Sequence, residues 1–306
     1  MTTVFKFGGA SIKNADAIRR LAPLIEQHKA CPLIVVVSAM GKTTNKLEAL
    51  LVAARDESQV NTYRECFEAL QAEHREIIEV LFYKGADSPT EQVDALFNEL
   101  DKQHRKYYRD SYAKHYDQTV CYGELISTTL VAAWLNHCGI TTEWHDAREL
   151  VRTDACYQAA NLDWTATTDA IRKRLMNSES VILTQGFISG SENGESTTLG
   201  REGSDFSAAI FAHCLDACEV VLWKDVTGVF NADPRRCDNA VQLMHLSYAE
   251  AIELARSGAK VVHPKTLEPL QEKSIPLVVR SFETPEAEPS VIDAEPSDGN
   301  RSRSNH

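Results

Sequence analysis

Leu33-Ile34-Val35-Val36-Val37-Ser38-Ala39-Met40-Gly41-Lys42-Thr43-Thr44-Asn45 is the stretch that decides the fold class. Its first five residues are a continuous, mostly β-branched apolar run, the composition of a strand buried on both faces. Small residues and hydroxyls follow, and then a helical pattern. A strand is covered on both faces where helices flank a mainly parallel sheet. Three more runs repeat the pattern: Val181-Ile182-Leu183-Thr184, Val220-Val221-Leu222-Trp223 and Pro276-Leu277-Val278-Val279, each preceded by a helical segment. A shorter strand, Val4-Phe5-Lys6-Phe7, opens the chain, and Ala15 to Gln27 carries Ile18, Leu21, Leu24 and Ile25 at helical spacing. The expected fold is α/β, a three-layer αβα sandwich around a mainly parallel open sheet.

Two regions depart from the alternation. A helical insertion is expected over about 47–117, with Phe67, Leu70, Ile77, Ile78, Leu81 and Phe82 spaced for a buried face that pads or lids the sheet. Beyond Glu283 the chain turns to Pro285, Pro289, Pro296, acids, Ser and Asn, so residues 293–306 are expected as a disordered tail.

Composition narrows the function classes. Among 306 residues, 44 are acidic and 32 basic, for a net charge of −12, and such a surface repels nucleic acid. The longest apolar stretch, Cys31 to Ala39, falls well short of the roughly 20 residues a membrane helix needs. Met1 to Gly9 lacks a basic region followed by an apolar core, so no signal peptide is expected and a cytoplasmic setting is. The eight cysteines form no C-x-x-C pair, and reduced thiols suit that setting. His213, Cys214 and Cys218 could face one another on a helix, an arrangement more typical of core packing than of a metal site.

Five segments carry candidate chemistry. Lys6-Phe7-Gly8-Gly9-Ala10-Ser11 puts a lysine at a strand end before two glycines and a helix, so backbone amides and helix dipole can meet an anion. A plain tight turn has the same look. Ser38 to Asn45 is a second strand end leading into a helix, where Thr44 could cap the helix, contact a ligand, or do both. In the third, Thr184-Gln185-Gly186-Phe187-Ile188 enters a hairpin through Ser191-Glu192-Asn193-Gly194 and leads to Leu199-Gly200-Arg201-Glu202-Gly203-Ser204-Asp205. Arg201 offers a fork for a carboxylate or phosphate, whereas Ser204 and Asp205 could simply cap the helix that follows. The fourth, Trp223 to Arg235, mixes polar groups with an aromatic in a way that suits a nucleotide. The fifth, Gly258 to Pro264, adds Lys260 and a histidine, His263, that reads as structural.

Taken together and in order, these segments resemble the catalytic domain of aspartate kinases, in the amino acid kinase superfamily, from about Thr3 to Ile292. Tyr122-Gly123-Glu124-Leu125-Ile126-Ser127 belongs to the same resemblance, as does the helical segment after Leu47. It implies an amino acid kinase domain over 1–292, with a nucleotide-binding part at about 216–285. The implied reaction is transfer of the ATP γ-phosphoryl group to the β-carboxylate of L-aspartate, giving 4-phospho-L-aspartate, in lysine, threonine and methionine biosynthesis. By the same resemblance Lys6 and Lys260 hold the transferring group, and Asp205 positions the lysines or magnesium. Thr44, Glu124, Arg201 and Ser204 bind aspartate, Glu124 through the ammonium and Arg201 through the α-carboxylate. Lys6, Phe7, Gly8, Gly9, Lys224, Asp225, Phe230, Arg235 and Lys260 contact ATP, and Mg²⁺ travels with the nucleotide rather than in a site of its own.

Several positions depart from that pattern. Ala10 stands where Thr or Ser is usual, Glu202 where Gly is common, Lys224 where Thr is frequent and Phe230 where Tyr is frequent. Most such kinases continue into ACT regulatory domains; the sequence in hand stops where they would begin, so activity without ACT-mediated feedback is expected. The expected partners are L-aspartate and MgATP, with no nucleic acid or membrane, in a homodimer; a separate subunit is one route by which regulation could reach it. Two alternatives stay open: a kinase of another amino acid, and a non-catalytic ligand-binding or regulatory subunit. Glu124 argues for a substrate ammonium, and therefore against uridylate, carbamate or an N-acylated amino acid.

Overall fold

Strand β1 (Thr3–Phe7), helix α1 (Ala15–Glu26) and strand β2 (Leu33–Val37) form the first strand–helix–strand unit of a parallel sheet. The structure is a computed structural model, and it describes residues 2–295 apart from 29–30, 177, 179, 233–234, 236, 238 and 258–261. Four helices follow: α2 (Thr43–Ala54), α3 (Val60–Phe82), α4 (Asp87–Tyr107) and α5 (Tyr112–His137). Next come β3 (Thr142–His145), α6 (Ala147–Leu150), β4 (Arg152–Thr153) and α7 (Trp164–Leu175). The third stretch holds β5 (Val181–Gln185), β6 (Ile188–Ser191), β7 (Ser196–Thr198), α8 (Gly203–Leu215) and β8 (Glu219–Lys224). A small ribbon, β9 (Val229–Phe230) with β10 (Gln242–Leu243), precedes β11 (His245–Ser247), α9 (Tyr248–Arg256), α10 (Pro264–Glu272), β12 (Leu277–Ser281) and β13 (Ser290–Asp293).

The main sheet has the order β11-β13-β12-β8-β1-β2-β5-β3. Its pairings are parallel except β12 with β13. Alternation along each strand explains the continuous apolar runs. Phe5 and Phe7 of β1, Leu33, Val35 and Val37 of β2, and Val221 and Trp223 of β8 enter one core with α1 to α5. Val4, Ile34, Val36, Val220 and Leu222 enter the other, with α7 to α10. Each of these three central strands feeds both layers, which is why their runs are nearly continuous in apolar residues.

The insertion is made of α2 to α5, and its boundaries fall inside helices rather than between them. Helix α5 is its structural axis. Ser111 caps it by accepting from the Lys114 N–H at 3.3 Å, and from Asp117 to Ser127 every residue is buried. At the C-terminal end of the chain, residue 293, the expected start of the tail, still belongs to a strand. Asp293 is the last residue of β13, paired with Ser247, and its Oδ1 lies 2.9 Å from His245 Nε2. The short apolar alternation around Ile292, itself fully buried, is enough to add one strand near the sheet edge. Residues 296–306 lie outside the described residues.

The suspected thiol cluster separates in three dimensions. His213 stacks near Trp164 and faces Glu272, Cys214 meets Thr168, and Cys218 meets Thr2 and Thr3. Among the described residues, no helix is long and apolar enough to cross a membrane.

Candidate active site

In an open α/β sheet the loops at the C-terminal strand ends converge where the connections diverge to either side. Here β1 lies between β2 and β8, and the loops after β1, β2, β5 and β8 meet above it. Their packing is close. A Cβ on Gly9 would fall 2.7 Å from the Ala39 carbonyl oxygen and 2.9 Å from that of Gly41, so only hydrogen fits where the first two loops touch. Gly186 is under the same constraint against Ser204, at 2.7 Å.

These loops and helices α2, α5 and α8 enclose a cavity of about 790 Å³. Lys6, Gly9, Thr44, Glu124, Arg201, Ser204, Asp205 and Lys224 all line it. Neither capping alternative survives. Lys42 is the N-cap of α2, with no side-chain cap, and Thr44 sits within the first turn. Glu202 is the N-cap of α8, which places Ser204 and Asp205 inside the helix, facing the cavity.

Asp205 anchors the charged end. Its Oδ1 lies 2.6 Å from Lys6 Nζ, and its Oδ2 accepts from Lys224 Nζ at 3.1 Å. Burial by itself would push this carboxyl up; the charges of Lys224 and Lys6, with their hydrogen bonds, overcome it and hold the group below the usual carboxylate range. Asp205 is therefore ionised, with a cation at each oxygen.

Glu124 behaves in the opposite way. It is buried on α5, and its Oε1 accepts from the Ala39 N–H at 3.1 Å. Among the described residues Oε2 has no hydrogen-bond partner. Burial pushes the carboxyl up to about 8, against the Ala39 amide and the charge of Lys6. An acceptor oxygen with no donor, in a cavity wall, is an incomplete site for a cationic donor. Gly123 makes this placement possible, because a Cβ there would meet Ala39 Cβ at 2.9 Å. Arg201 is exposed at the cavity rim, with no ion pair or hydrogen bond of its guanidinium among the described residues.

Other expected contacts lie elsewhere. Phe7 is fully buried and stacks on Trp223 with centroids 5.9 Å apart, so its side chain belongs to the core. Gly8 follows it beside the Lys6 ammonium. Asp225 and Arg235 pair with each other on the loop after β8, Phe230 is on the β9 ribbon, and none of the three lines this cavity. Lys260 lies outside the described residues. His263 is structural in form: its Nδ1 accepts from the Lys265 N–H at 3.2 Å and caps α10.

Sequence reasoning missed Asp117. It is fully buried, and it accepts from Gln158 N at 2.9 Å, Thr198 N at 3.0 Å and the Thr198 hydroxyl at 2.8 Å, holding two cavity-lining segments. The available signal was its spacing: Asp117 and Glu124 are two helical turns apart on one face of α5. Backbone strain marks the same region. Gln158, Phe187 and Glu202 have φ of 71°, 68° and 53°, a left-handed conformation that favours glycine, and all three line the cavity.

The sequence pattern defining the amino acid kinase family matches residues 1–281. Lysine-sensitive aspartokinase 3 of Escherichia coli is 32% identical over 291 residues, covering 94% of this chain and 63% of that protein. Aspartokinase 1, chloroplastic, of Arabidopsis thaliana is 32% identical over 304 residues, covering 95% of this chain and 52% of that protein. Among solved structures, Escherichia coli aspartokinase III in complex with aspartate and ADP superposes with a TM-score of 0.87 at 31% identity, over 97% of this chain and 66% of that one. The chain thus spans less than two thirds of the length of these relatives.

Proposed function

The chain belongs to the amino acid kinase family, and we propose that it is an aspartate kinase, transferring the ATP γ-phosphoryl group to the β-carboxylate of L-aspartate. One observation carries this reading: a single cavity joins a buried carboxyl with one oxygen unpartnered among the described residues, a guanidinium fork likewise without a partner among them, and a carboxylate flanked by two lysines. These suit, in turn, an ammonium, an α-carboxylate and a transferring phosphoryl group. Both relatives named above are aspartokinases, and the solved neighbour holds aspartate and ADP, which supports the same assignment.

In this reading Glu124 takes the substrate ammonium, Arg201 the α-carboxylate, and Thr44 and Ser204 orient the substrate from the first turns of α2 and α8. A carboxylate of ordinary pKa near 4 is already ionised at neutral pH, so no general base is needed. The β-carboxylate oxygen attacks the γ-phosphorus, and the bond to the bridging oxygen of ADP breaks. The protein's part is to bring two anions together and neutralise the moving charge, which falls to Lys6, Lys260 and the amides of Gly8 and Gly9. Magnesium carried by the nucleotide would supply charge neutralisation on its phosphates, and Asp205, ionised in the cavity wall, is the carboxylate here that could face it. Lys224, Asp225, Phe230 and Arg235 are assigned to the nucleotide side. A homodimer in the cytoplasm, with its thiols reduced, is part of the proposal.

The decisive assay couples ADP release to a panel of amino acids, with hydroxylamine trapping of the acyl phosphate. Aspartate is expected to give both signals. Turnover with a different amino acid alone would move the acceptor, and no turnover with any would favour a ligand-binding role.

Two further results are expected. Arg201→Lys keeps the charge and loses the fork, so the aspartate KM rises about tenfold with the ATP KM nearly unchanged; an effect confined to ATP would place Arg201 on the phosphate side. Glu124 must ionise to pair with an ammonium, so aspartate affinity rises by up to about tenfold per pH unit below about 8 and levels off above it. The same shift acts on folding. The folded-state value lies above the unfolded one of 4.5, so its stabilising contribution is complete below 4.5 and is lost as pH rises through about 8. Melting curves of the ligand-free protein should fall across that window less steeply for Glu124→Gln. Identical slopes would show that Glu124 is ordinary.

A further inference from the structure

We infer that Lys224 is a positioning residue that fixes Lys6 through Asp205, and that Glu202 carries the charge it balances. This deepens the reading above and rests on it.

The geometry starts at two strand ends. Neighbouring β1 and β8 deliver Lys6 and Lys224 to the same carboxylate, one at each oxygen, at 2.6 Å and 3.1 Å. The hydrogen bond from Lys224 at one oxygen restrains the carboxylate's last torsion, and the other oxygen, in its ion pair with Lys6, is thereby aimed at that ammonium. The Lys224 side chain is 28% exposed against 12% for Lys6, so Lys224 remains accessible from the cavity while it grips Asp205.

Glu202 supplies the second half. It lines the same cavity from the N-cap of α8, at φ 53°, where glycine would be free of strain. The two departures from the family pattern in this cavity, Glu202 for a common Gly and Lys224 for a frequent Thr, carry opposite charges. Lys6 and Arg201 bring two positive charges to this cavity and Asp205 and Glu48 two negative ones, so Glu202 without Lys224 would add an excess negative charge facing a polyanionic nucleotide. Lys224 cancels it. Burial alone would pull the Lys224 ammonium down, and Asp205, with Glu202 and Asp225 behind it, holds it above the ordinary lysine range.

The test is a double-mutant cycle on the full chain, read by steady-state kinetics and by calorimetric binding of MgADP. Lys224→Met is expected to lower kcat by about 10–100-fold, somewhat less than loss of a direct phosphoryl contact, with the aspartate KM changed less than about threefold. Lys224→Arg should recover most of the lost rate. MgADP binding should weaken by about tenfold for Lys224→Met alone, and by less than about threefold in the Glu202→Gly background. Equal loss in both backgrounds, an unchanged rate in Lys224→Met, or an Arg variant as slow as the Met variant would each overturn the inference. Lys224→Thr gives a second charge-free side chain should the Met variant fail to fold. The MgADP cycle needs no acceptor, so it still reads the coupling if aspartate is not the substrate, whereas that result would sink the proposed function alone.

Discussion

Replacing Lys6 by Ala is expected to lower kcat by about 10²–10³-fold, the scale for losing one preorganised group that stabilises transition-state charge. Lys6 is placed for that role by the rigid end of a central strand. Residues on both sides of it, Phe5 and Phe7, are locked in the core, and its ammonium lies 2.6 Å from a fully ionised carboxylate. Nucleotide affinity should fall much less, because in the proposed reading the glycine-loop amides and other cations would also face the phosphates. Single-turnover phosphoryl transfer at saturating ATP and aspartate separates the two effects. Near-full turnover in the variant would remove Lys6 from the chemistry.

Asp205→Asn should have a comparable effect on rate, and it should also cost stability. The change keeps the shape and removes the charge, leaving two partly buried ammonium groups beside each other without their counter-ion. Breaking a fully buried ion pair from one side typically costs about 3–5 kcal/mol, and here both lysines keep some contact with solvent, so urea denaturation should show a loss on the order of 2 kcal/mol. The pH dependence has a definite sign. The Asp205 carboxyl is held below its unfolded value of 3.8, so its contribution is present above that pH and is lost as pH falls toward the folded value. The Asn variant should lack this part of the acid-side loss. A variant with wild-type stability and a reduced rate would make Asp205 a purely chemical group; wild-type values for both would remove it from the site.

Much of the architecture was legible because local and global demands agree. Leu33 to Val37 forms a strand in the expected place, since an unbroken β-branched run has no stable alternative to burial on both faces. The hairpin around Gly194 and the helix from Ala15 followed from equally local signals. Helix starts were less legible. Thr44, Ser204 and Asp205 have the composition of caps, yet they sit inside their helices, because a left-handed Glu202 and an uncapped Lys42 begin those helices instead. Propensity says that a serine or aspartate suits a helix start; it does not say whether the side chain folds back or faces outward.

What the sequence determined alone was the layered α/β class, strands β1, β2, β5, β8 and β12 of the main sheet and the candidate residues, because periodicity and strand-end glycines act over a few residues; β3, β11 and β13, short and partly exposed, carried no such signal. The tertiary structure decided which candidates meet. Lys6, Glu124, Arg201, Asp205 and Lys224 come from four distant segments, and they share a cavity only because β1 lies between β2 and β8 while α5 crosses beneath the second loop. It also set their charge states. Glu124 and Asp205 are both buried carboxylates, yet one is pushed up to about 8 and the other held low. The difference lies in what faces each oxygen, a backbone amide and an unfilled position for Glu124, two ammonium groups for Asp205. Electrostatic energy depends on separation in space, and no spacing along the chain encodes it.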